Sequence, residues 1–260
     1  MKDKFKIGID YGGTKIEAIL MNDKGDEIKR ERSEYDRNYE SGVSTVKKFV
    51  ESFKKESSNE ATVGIAIPGY SSKETGLVHN ANSIWLNNKH FKKDLEKNLN
   101  CEVKIMNDAN CFTLSEAIDG AGKDFKSVFG IIIGTGFGSG LSYKKEVIEG
   151  ANQVAGDWGH QPLPYPTEEE INSKIKCTLP TCGRPLCAEQ FVSGAGFAKN
   201  FNLKHNTNYK APEIVALDKK GDPKANKEFE LYEDRFARLI AVMIGIFDPE
   251  AIVLGGGMSN

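Results

Sequence analysis

A glycine-rich segment near the start of the chain carries groups that bind phosphate and a metal ion. Asp10 ends a predicted strand and is followed by Gly12, Gly13, Thr14 and Lys15. The glycines let backbone N–H groups approach an anion, while the carboxylate, hydroxyl and ammonium groups supply the other contacts of a phosphate and metal site. The alternative is an ordinary hairpin with a Gly-Gly turn. The segment is not a Walker A loop, because the pattern G-x-x-x-x-G-K-[ST] does not occur in the chain.

A second glycine-rich turn, which includes Gly134 and Gly136, directly follows a later apolar run. It is not a dinucleotide fingerprint, because Ser139 occupies the position of the third glycine. Residues 7–14 align with residues 131–138 at a constant offset of 124, which makes the two turns an internal repeat. The remaining hypothesis is that two glycine hairpins hold one polyphosphate.

Asn107 and Asp108 lie where a predicted strand meets a predicted helix. An aspartate at such a junction commonly caps the N-terminus of the helix. The catalytic alternative is that Asp108 accepts the proton of an alcohol that attacks a γ-phosphate, while Asn107 orients that alcohol.

One histidine and three cysteines form a candidate metal site. His160, Cys177, Cys182 and Cys187 follow one another with 16, 4 and 4 intervening residues. A Cys₃His set suits tetrahedral zinc, and an irregular loop gains more from a metal clip than a helix does. The alternative is a partly buried loop that carries three reduced thiols.

The stretch over residues 80–86 combines two amides with an aromatic ring. Asn80 and Asn82 beside Trp85 could line a sugar pocket. A surface loop anchored by the tryptophan is the alternative.

Hydrophobic periodicity predicts alternating strands and helices, and therefore an α/β protein. The two hairpins belong to two similar halves, so we expect an N-terminal lobe over residues 1–120 and a C-terminal lobe over residues 121–260, with a ligand cleft between them. The predicted strands are 5–10, 15–21, 63–67, 103–106, 128–133, 141–143 and 251–254, and the predicted helices are 42–54, 91–99, 109–118 and 223–247.

Composition excludes several classes of protein. The 260 residues carry 35 Lys and Arg against 37 Asp and Glu, a net charge of −2, which argues against nucleic acid as a partner. Five cysteines are too few for a disulfide scaffold, and the N-terminus does not match a signal peptide, so we expect a cytoplasmic protein. No apolar run approaches the ~20 residues of a membrane-spanning helix, so we expect no membrane partner.

An ordered set of motifs spans essentially the whole chain. It comprises Asp10-x-Gly-Gly-Thr-Lys, Pro68-Gly69, Asn107-Asp108-Ala109-Asn110, Gly134-Thr135-Gly136-x-Gly138, Gly159-His160, Cys182-Gly183, Cys187-Ala188-Glu189 and Gly255-Gly256-Gly257. This set resembles the ROK family of sugar kinases and repressors. Within that family, residues 80–86 and 253–260 look most like bacterial fructokinases, whereas Ala211-Pro212-Glu213-Ile214 resembles N-acetylglucosamine kinases.

The resemblance implies an actin-like (ribonuclease H-like) fold of two lobes, with ATP and Mg²⁺ in the cleft and a structural Zn²⁺. It implies phosphoryl transfer to a hexose hydroxyl, that on carbon six of fructose being the first expectation, with N-acetylglucosamine or glucose as alternatives. Asp108 is the implied base, sugar and ATP are the implied partners, and a homodimer is expected. The implied sugar-binding residues are Asn82, Asn107, Asp108, Asp157, His160 and Glu189; the implied cofactor-binding residues are Asp10, Gly12, Gly13, Thr14, Lys15, Gly134, Thr135, Gly136, Gly255 and Gly256; the implied zinc ligands are His160, Cys177, Cys182 and Cys187.

Three features depart from the family pattern. Asp157 stands where the family usually has a glutamate, so we expect this sugar contact to be lost or bridged by water. Pro180 stands where the first zinc thiol is usual, and we expect Cys177 to replace that thiol. The chain ends at Asn260, where the family continues with a helix and a strand, so we expect a truncated chain with reduced nucleotide affinity.

Two functions of another class stay open. The first is a sugar-sensing repressor, although family repressors carry a helix-turn-helix ahead of the core and only nine residues precede Asp10 here. The second is a catalytically silent sugar-binding protein.

Overall fold

The computed structural model describes residues 5–57, 61–173 and 182–259. Strands and helices alternate along the chain, which confirms the α/β class. The strands are β1 Phe5–Tyr11, β2 Lys15–Met21, β3 Glu27–Glu34, β4 Ala61–Ile67, β5 Tyr70–Ser71, β6 Val78–His79, β7 Val103–Asn107, β8 Ser127–Ile133, β9 Phe137–Tyr143, β10 Glu146–Val147 and β11 Ala251–Gly255. The helices are α1 Tyr39–Glu56, α2 Phe91–Leu99, α3 Asp108–Ile118, α4 Glu168–Ile171, α5 Glu189–Val192, α6 Gly194–His205, α7 Ala211–Asp218 and α8 Pro223–Phe247, with 3₁₀ turns at Ile84–Leu86 and Gly257–Ser259.

The chain divides by its contacts into two compact units. The first unit comprises residues 1–111 and 150–154, and the second comprises residues 112–149 and 155–260. The division falls within α3, whereas the boundary predicted from the sequence lies at residue 120, two residues after that helix ends.

The first unit is built on a five-stranded mixed sheet in the order β3-β2-β1-β4-β7. β1 pairs antiparallel with β2 and parallel with β4, and β4 pairs parallel with β7. Alternating residues of β1 and β2 are buried, because they face a core that also takes the apolar stripes of α1 and α2. Leu20, Phe53 and Phe91 are fully buried in this core. The parallel pairs bring the carboxyl ends of β1, β4 and β7 to one edge of the sheet.

Strand β3 was not predicted, because its sequence shows no alternation between apolar and polar residues. It is the edge strand of the sheet, and its eight residues are exposed or half-buried. Charged side chains replace apolar packing there: Arg30 and Arg32 both form ion pairs with Glu17 of β2. Such charged edges are typical of strands that must not pair with another chain.

The second unit is built on a four-stranded sheet in the order β10-β9-β8-β11. β8 pairs antiparallel with β9 and parallel with β11, and it is buried on both faces. On one face Phe129 and Ile131 join the large core formed with the helices after residue 188. On the other face Val128 packs with Val253 and with Ala117 of α3.

The sequence predicted α8 with the bounds that the structure shows, but it did not predict α6 or α7. Asp222 caps α8 by accepting hydrogen bonds from two backbone N–H groups, and Asp248 ends it in the left-handed region with φ 47°. In α6 the glycines at positions 194 and 196 weaken the helical signal. Ser193 nevertheless caps this helix by accepting a hydrogen bond from the Gly196 N–H.

The two glycine hairpins repeat at a different offset from the one expected. β8 begins at residue 127 against residue 5 for β1, and β9 ends at residue 143 against residue 21 for β2, a displacement of 122 at both ends. The expected offset of 124 was therefore wrong. It matched Gly12 to Gly136, whereas the strand bounds align Gly12 with Gly134. The pairing register also differs by one residue between the hairpins, because Tyr11 pairs with Ile16 in the first and Ile133 pairs with Phe137 in the second.

Candidate active site

Asn107 and Asp108 share the start of α3, and they hold different positions there. Asn107, the last residue of β7, caps the helix, because its Oδ1 accepts the Asn110 N–H over 3.1 Å. Its Nδ2 donates to Gly69 O and to Asp108 Oδ1, both over 3.0 Å. The structure therefore gives the capping position to Asn107 and leaves Asp108 in the first turn of the helix.

The Asp108 carboxyl is held by one oxygen. Oδ1 accepts the Ala109 N–H over 2.8 Å in addition to the Asn107 amide. Within the described part of the chain no side chain donates to Oδ2. The residue retains solvent access, yet the protein atoms packed around its carboxyl raise the pKa of Asp108 to about 6. The nearby charge of Asp10 also raises this pKa, while the hydrogen bonds from Ala109 and Asn107 lower it.

Position 69, two residues after β4 ends, requires a glycine. Its φ is +77°, and an added Cβ would lie 2.2 Å from His79 O and 2.6 Å from Ala81 N. Because the Gly69 carbonyl accepts the Asn107 amide, this turn fixes the residue that caps α3. The motif Pro68-Gly69 therefore acts on the candidate base through Asn107.

Asp10 is exposed near the carboxyl end of β1, opposite Glu17 of β2. The surrounding protein raises the pKa of Asp10, and so does the charge of Glu17, while the charge of Arg32 lowers it. Asp10 and Asp108 belong to the same unit, both are exposed to solvent, and the charge of Asp10 raises the pKa of Asp108. Carboxylate oxygens of this kind are the ligands that Mg²⁺ prefers.

The first glycine turn uses one of its N–H groups internally. Gly12 N–H donates to Lys15 O over 3.0 Å, and Gly12 O accepts the Tyr35 hydroxyl over 2.9 Å. Among the described residues no protein group accepts the N–H of Gly13 or of Thr14. These two N–H groups, rather than that of Gly12, are available to an anion.

The stretch over residues 80–86 is anchored by its tryptophan. Trp85 Nε1 donates to the Tyr11 hydroxyl over 3.2 Å, and Asn87 holds Ala81 by two hydrogen bonds of 2.9 Å. Asn82 between them is exposed. The ring is therefore part of the packing of the first unit, while the Asn82 amide is left accessible to a ligand.

Glu189, the first residue of α5, is a predicted sugar-binding residue of the second unit. It is buried, with an exposure of 6%. Its backbone N–H donates to Gly159 O over 2.8 Å, and its Oε2 accepts the Phe137 N–H over 3.2 Å. The sequence did not predict this link between Glu189 and the second glycine turn, because the two residues are 52 positions apart and their spacing carries no signal.

The charges of His160 and Glu189 both act on the carboxyl group of Asp157. Burial raises the pKa of Asp157, the charges of His160 and Arg184 lower it, and the charge of Glu189 raises it. Arg184 Nη1 also donates to His160 O over 3.0 Å. The structure thus brings the predicted sugar-binding residues of the second unit into one electrostatic group.

The second glycine turn is tied to the start of α6. Gly134 N–H donates to Gly136 O over 3.0 Å, and Gly134 O accepts the Gly194 N–H over 2.8 Å. Thr135 and Gly136 are exposed, and in the described ranges no protein group accepts their N–H groups. The sequence did not single out Gly194, although a serine followed by glycine is a recognisable helix start.

Gly255 and Gly256 are explained by close packing. A Cβ on Gly255 would lie 2.6 Å from the ring of Phe112. Gly256 has a φ of +89°, and its Cβ would lie 2.4 Å from Ile133 O, at the end of β8. These glycines therefore bring the end of β11 against the strand that leads into the second glycine turn.

Three of the four predicted zinc ligands lie together. The candidate ligand atoms of His160, Cys182 and Cys187 are all within 4.8 Å of one another. His160 Nδ1 lies 3.4 Å from Cys187 Sγ, and Cys182 Sγ lies 3.8 Å from Cys187 Sγ. Two thiols and an imidazole are a donor set that fits zinc. Cys177 and Pro180 lie outside the described residues.

Comparison with known proteins identifies the class to which this chain belongs, that of ATP-dependent sugar kinases. Residues 6–260 match the ROK family, and the chain belongs to that family. Its actin-like (ribonuclease H-like) α/β fold is confirmed by the solved structures that it resembles.

Relatives and solved structures agree on this class. The chain is 37% identical over 254 residues to an N-acetyl-D-glucosamine kinase of Vibrio cholerae, covering 97% of this chain and 84% of the relative. It resembles a ROK hexokinase of Thermus thermophilus with a TM-score of 0.82 and 23% identity, covering 98% of this chain and 82% of that one. It resembles a ROK family glucokinase of Streptomyces griseus, solved with glucose and AMPPNP, with a TM-score of 0.77 and 25% identity over 98% of this chain and 84% of that one.

No helix in the described ranges is both long enough and apolar enough to span a membrane. The expected homodimer stays a prediction.

Proposed function

We propose that this protein transfers the γ-phosphoryl group of ATP to a hydroxyl group of N-acetyl-D-glucosamine. The kinase chemistry rests on one observation above all: the Asp108 carboxyl is fixed through Oδ1, and its pKa is raised to about 6. A base with a pKa near the working pH is effective at removing a proton from an alcohol. The choice of sugar rests on the 37% identity to an N-acetyl-D-glucosamine kinase.

Asp108 accepts the proton of the attacking hydroxyl, and Asn107 keeps the carboxyl in place. A positioned base of this kind contributes roughly 10²–10⁴ in rate. The transferred phosphoryl group needs positioning and neutralisation of charge more than covalent help. The other proposed sugar contacts are Asn82, Asn107, Asp157, His160 and Glu189, and the proposed nucleotide contacts are Gly12, Gly13, Thr14, Lys15, Gly134, Thr135, Gly136, Gly255 and Gly256.

Asp10 would hold Mg²⁺, because it presents an exposed carboxylate at the turn that leaves two N–H groups for phosphate. The ion would neutralise charge on the phosphate oxygens. Lys15 of this turn is exposed and lies 3.8 Å from Glu34, whose charge offsets part of its own. A metal ion would therefore add positive charge at this turn.

Fructose is the second candidate sugar. It is favoured by the stretch over residues 80–86, whose exposed Asn82 and anchored Trp85 resemble the corresponding segment of bacterial fructokinases. The relatives do not support a preference for fructose. They favour N-acetyl-D-glucosamine, which was an alternative in the sequence analysis.

Zinc would hold the loop that follows His160. His160, Cys182 and Cys187 provide three ligands, and Cys177 is the proposed fourth. When bound, the ion would supply a structural clip rather than a reactive water, because four protein ligands close its coordination.

A substrate panel tests the proposed function. ADP release is measured with ATP, Mg²⁺ and, in turn, N-acetyl-D-glucosamine, fructose, glucose and N-acetylmannosamine. We expect the highest kcat/KM with N-acetyl-D-glucosamine. A clear preference for fructose would replace the substrate and retain the kinase. Absence of turnover with every sugar, together with sugar binding by calorimetry, would favour the catalytically silent alternative.

A further inference from the structure

Arg235 of α8 has a buried guanidinium group. Its side chain is 5% exposed, and the side chains of its partners Glu170 and Glu228 are each 3% exposed. Arg235 Nε donates to Glu170 Oε1 over 2.8 Å, and Nη1 donates to Glu228 Oε1 over 3.1 Å. Well-packed apolar residues stabilise a core as well as a buried ion pair does. The cluster holds Glu170, Glu228 and Arg235 in one fixed arrangement.

The guanidinium group also contacts α5, the one-turn helix that begins at Glu189. Its Cζ lies 5.2 Å from the centroid of the Phe191 ring. Tyr232, one turn earlier on α8, donates from its hydroxyl to Val192 O over 3.1 Å. A helix of four residues is not stable by itself. The position of α5 therefore depends on contacts such as these with α8.

The same cluster holds the segment after His160. Glu170 Oε1 accepts Arg238 Nη2 over 2.8 Å in addition to Arg235. Arg238 Nη1 donates to Pro164 O over 2.7 Å and to Tyr165 O over 2.8 Å. Arg238 of α8 thereby holds the backbone of residues 164 and 165 directly, and the Glu170 carboxylate joins Arg238 to Arg235.

These two attachments meet in backbone hydrogen bonds between residues 159–163 and residues 186–189. Glu189 N–H donates to Gly159 O over 2.8 Å, and Leu163 N–H donates to Leu186 O over 2.7 Å. A shift of either segment along the other would move the Glu189 carboxylate relative to the His160 ring.

We propose that Arg235 is a positioning residue for sugar binding, which fixes α5 and the segment after His160 in the register that presents Glu189 and His160 to the sugar. This inference rests on the proposed function, in which Glu189 and His160 bind sugar hydroxyls. Because Arg235 is buried, it acts on the sugar site through Phe191 and Glu170.

The variant Arg235→Lys tests the inference by steady-state kinetics. It keeps the positive charge, but an ammonium group lacks the planar fork that joins two carboxylates while it lies against a ring. We expect the sugar KM to rise about tenfold, with ATP KM and kcat changed by less than about twofold, because uniform sugar binding is lost. A sugar KM within about twofold of the parent value overturns the proposal.

A destabilised variant separates positioning from loss of stability. Ile214→Ala removes a fully buried side chain of the same core from α7, which carries no member of the Arg235 cluster. We expect it to lower the thermal midpoint at least as much as Arg235→Lys while it leaves the sugar KM unchanged. An equal rise in sugar KM in both variants would show that KM follows stability and would refute the inference.

A double-mutant cycle tests the route through Phe191. If Arg235 acts through this ring, the effects of Arg235→Lys and Phe191→Leu on sugar KM are less than additive. Additive effects would overturn the route.

Hydrogen exchange gives a readout that needs no sugar. We expect Arg235→Lys to lower the protection of the Glu189 and Leu163 amides about tenfold, because both donate across the segments that the cluster holds. Unchanged protection refutes the positioning role. A parent that phosphorylates no sugar would defeat the proposed function, while this measurement would still decide the role of Arg235.

Discussion

The side-chain amide of Asn107 donates to Oδ1 of Asp108 over 3.0 Å while the amide oxygen of Asn107 caps α3. Asn107 thus caps the N-terminus of α3, so Asp108 is not required as the cap. The Asp108 carboxyl is anchored at one oxygen, and the other is available to accept a proton.

Replacement of Asp108 by Asn is expected to lower kcat by about 10²–10⁴-fold, because the base is lost and the volume is kept. Sugar affinity, measured by calorimetry, is expected to stay close to that of the parent. The matched control is Asp119→Asn, the same exchange at an exposed position just after α3 ends, which should leave kcat unchanged. Undiminished turnover in Asp108→Asn would remove Asp108 from the mechanism.

The pH dependence of kcat/KM should report the Asp108 carboxyl. The base acts in its deprotonated form, and its pKa is raised to about 6. We therefore expect kcat/KM to fall about tenfold per pH unit as the pH decreases below about 6. Circular dichroism at each pH confirms that the protein stays folded. A flat profile down to pH 5 would contradict the assignment.

Asp108→Asn is also expected to stabilise the protein at neutral pH. The folded-state pKa is raised above the usual 3.8 to about 6, so the folded protein binds this proton more tightly than the unfolded chain does. The protonated carboxyl thus stabilises the folded protein fully below pH ~4, and this stabilisation is lost as the pH rises through ~6. Because the residue is exposed to solvent, the gain from Asn at pH 7 is about 1 kcal/mol. In thermal unfolding, the difference in stability between Asp108→Asn and the parent should vanish near pH 4. An Asp108→Asn variant less stable than the parent at pH 7 would contradict the prediction.

Gly134→Ala tests whether the second glycine turn holds phosphate. An added Cβ meets no atom within 4 Å, so the folded protein has room for the methyl group. We expect an unchanged thermal midpoint and an ATP KM raised about tenfold, equivalent to ~1.4 kcal/mol of lost binding.

The matched control is Gly245→Ala, an exposed position on α8 where a Cβ also meets no atom within 4 Å. It should leave the ATP KM unchanged and stabilise the helix by up to ~1 kcal/mol. Equal ATP KM values in both variants would argue against a phosphate site at residues 134–136.

Zinc content tests the thiol cluster. We expect elemental analysis to find about one zinc per chain in the parent and much less in Cys182→Ser, because a ligand is lost. Cys101→Ser, a half-buried cysteine outside the cluster, is the control and should retain the metal. Cys177→Ser examines the proposed fourth ligand and should bind zinc more weakly. A parent without zinc would leave the cysteines as packing residues.

Elements with strong local patterns were predictable. α8 was predicted at Pro223–Phe247 because its apolar stripe is long and its ends carry recognisable caps. β3 could not be predicted, since none of its eight residues is buried and its sequence shows no alternation between apolar and polar residues. The repeat was found but its alignment was displaced by two residues, because matching glycine to glycine does not reveal where the paired strands begin and end.

By itself the sequence determined the α/β class, the ROK family and the set of candidate residues, because turns, caps and motifs are local and are written in consecutive positions. Only the tertiary structure decided which of Asn107 and Asp108 caps α3, that Glu189 accepts the Phe137 N–H, and that Arg235 joins Glu170 to Phe191. These contacts join residues far apart in the chain, and their geometry depends on how strands and helices pack rather than on any spacing in the sequence.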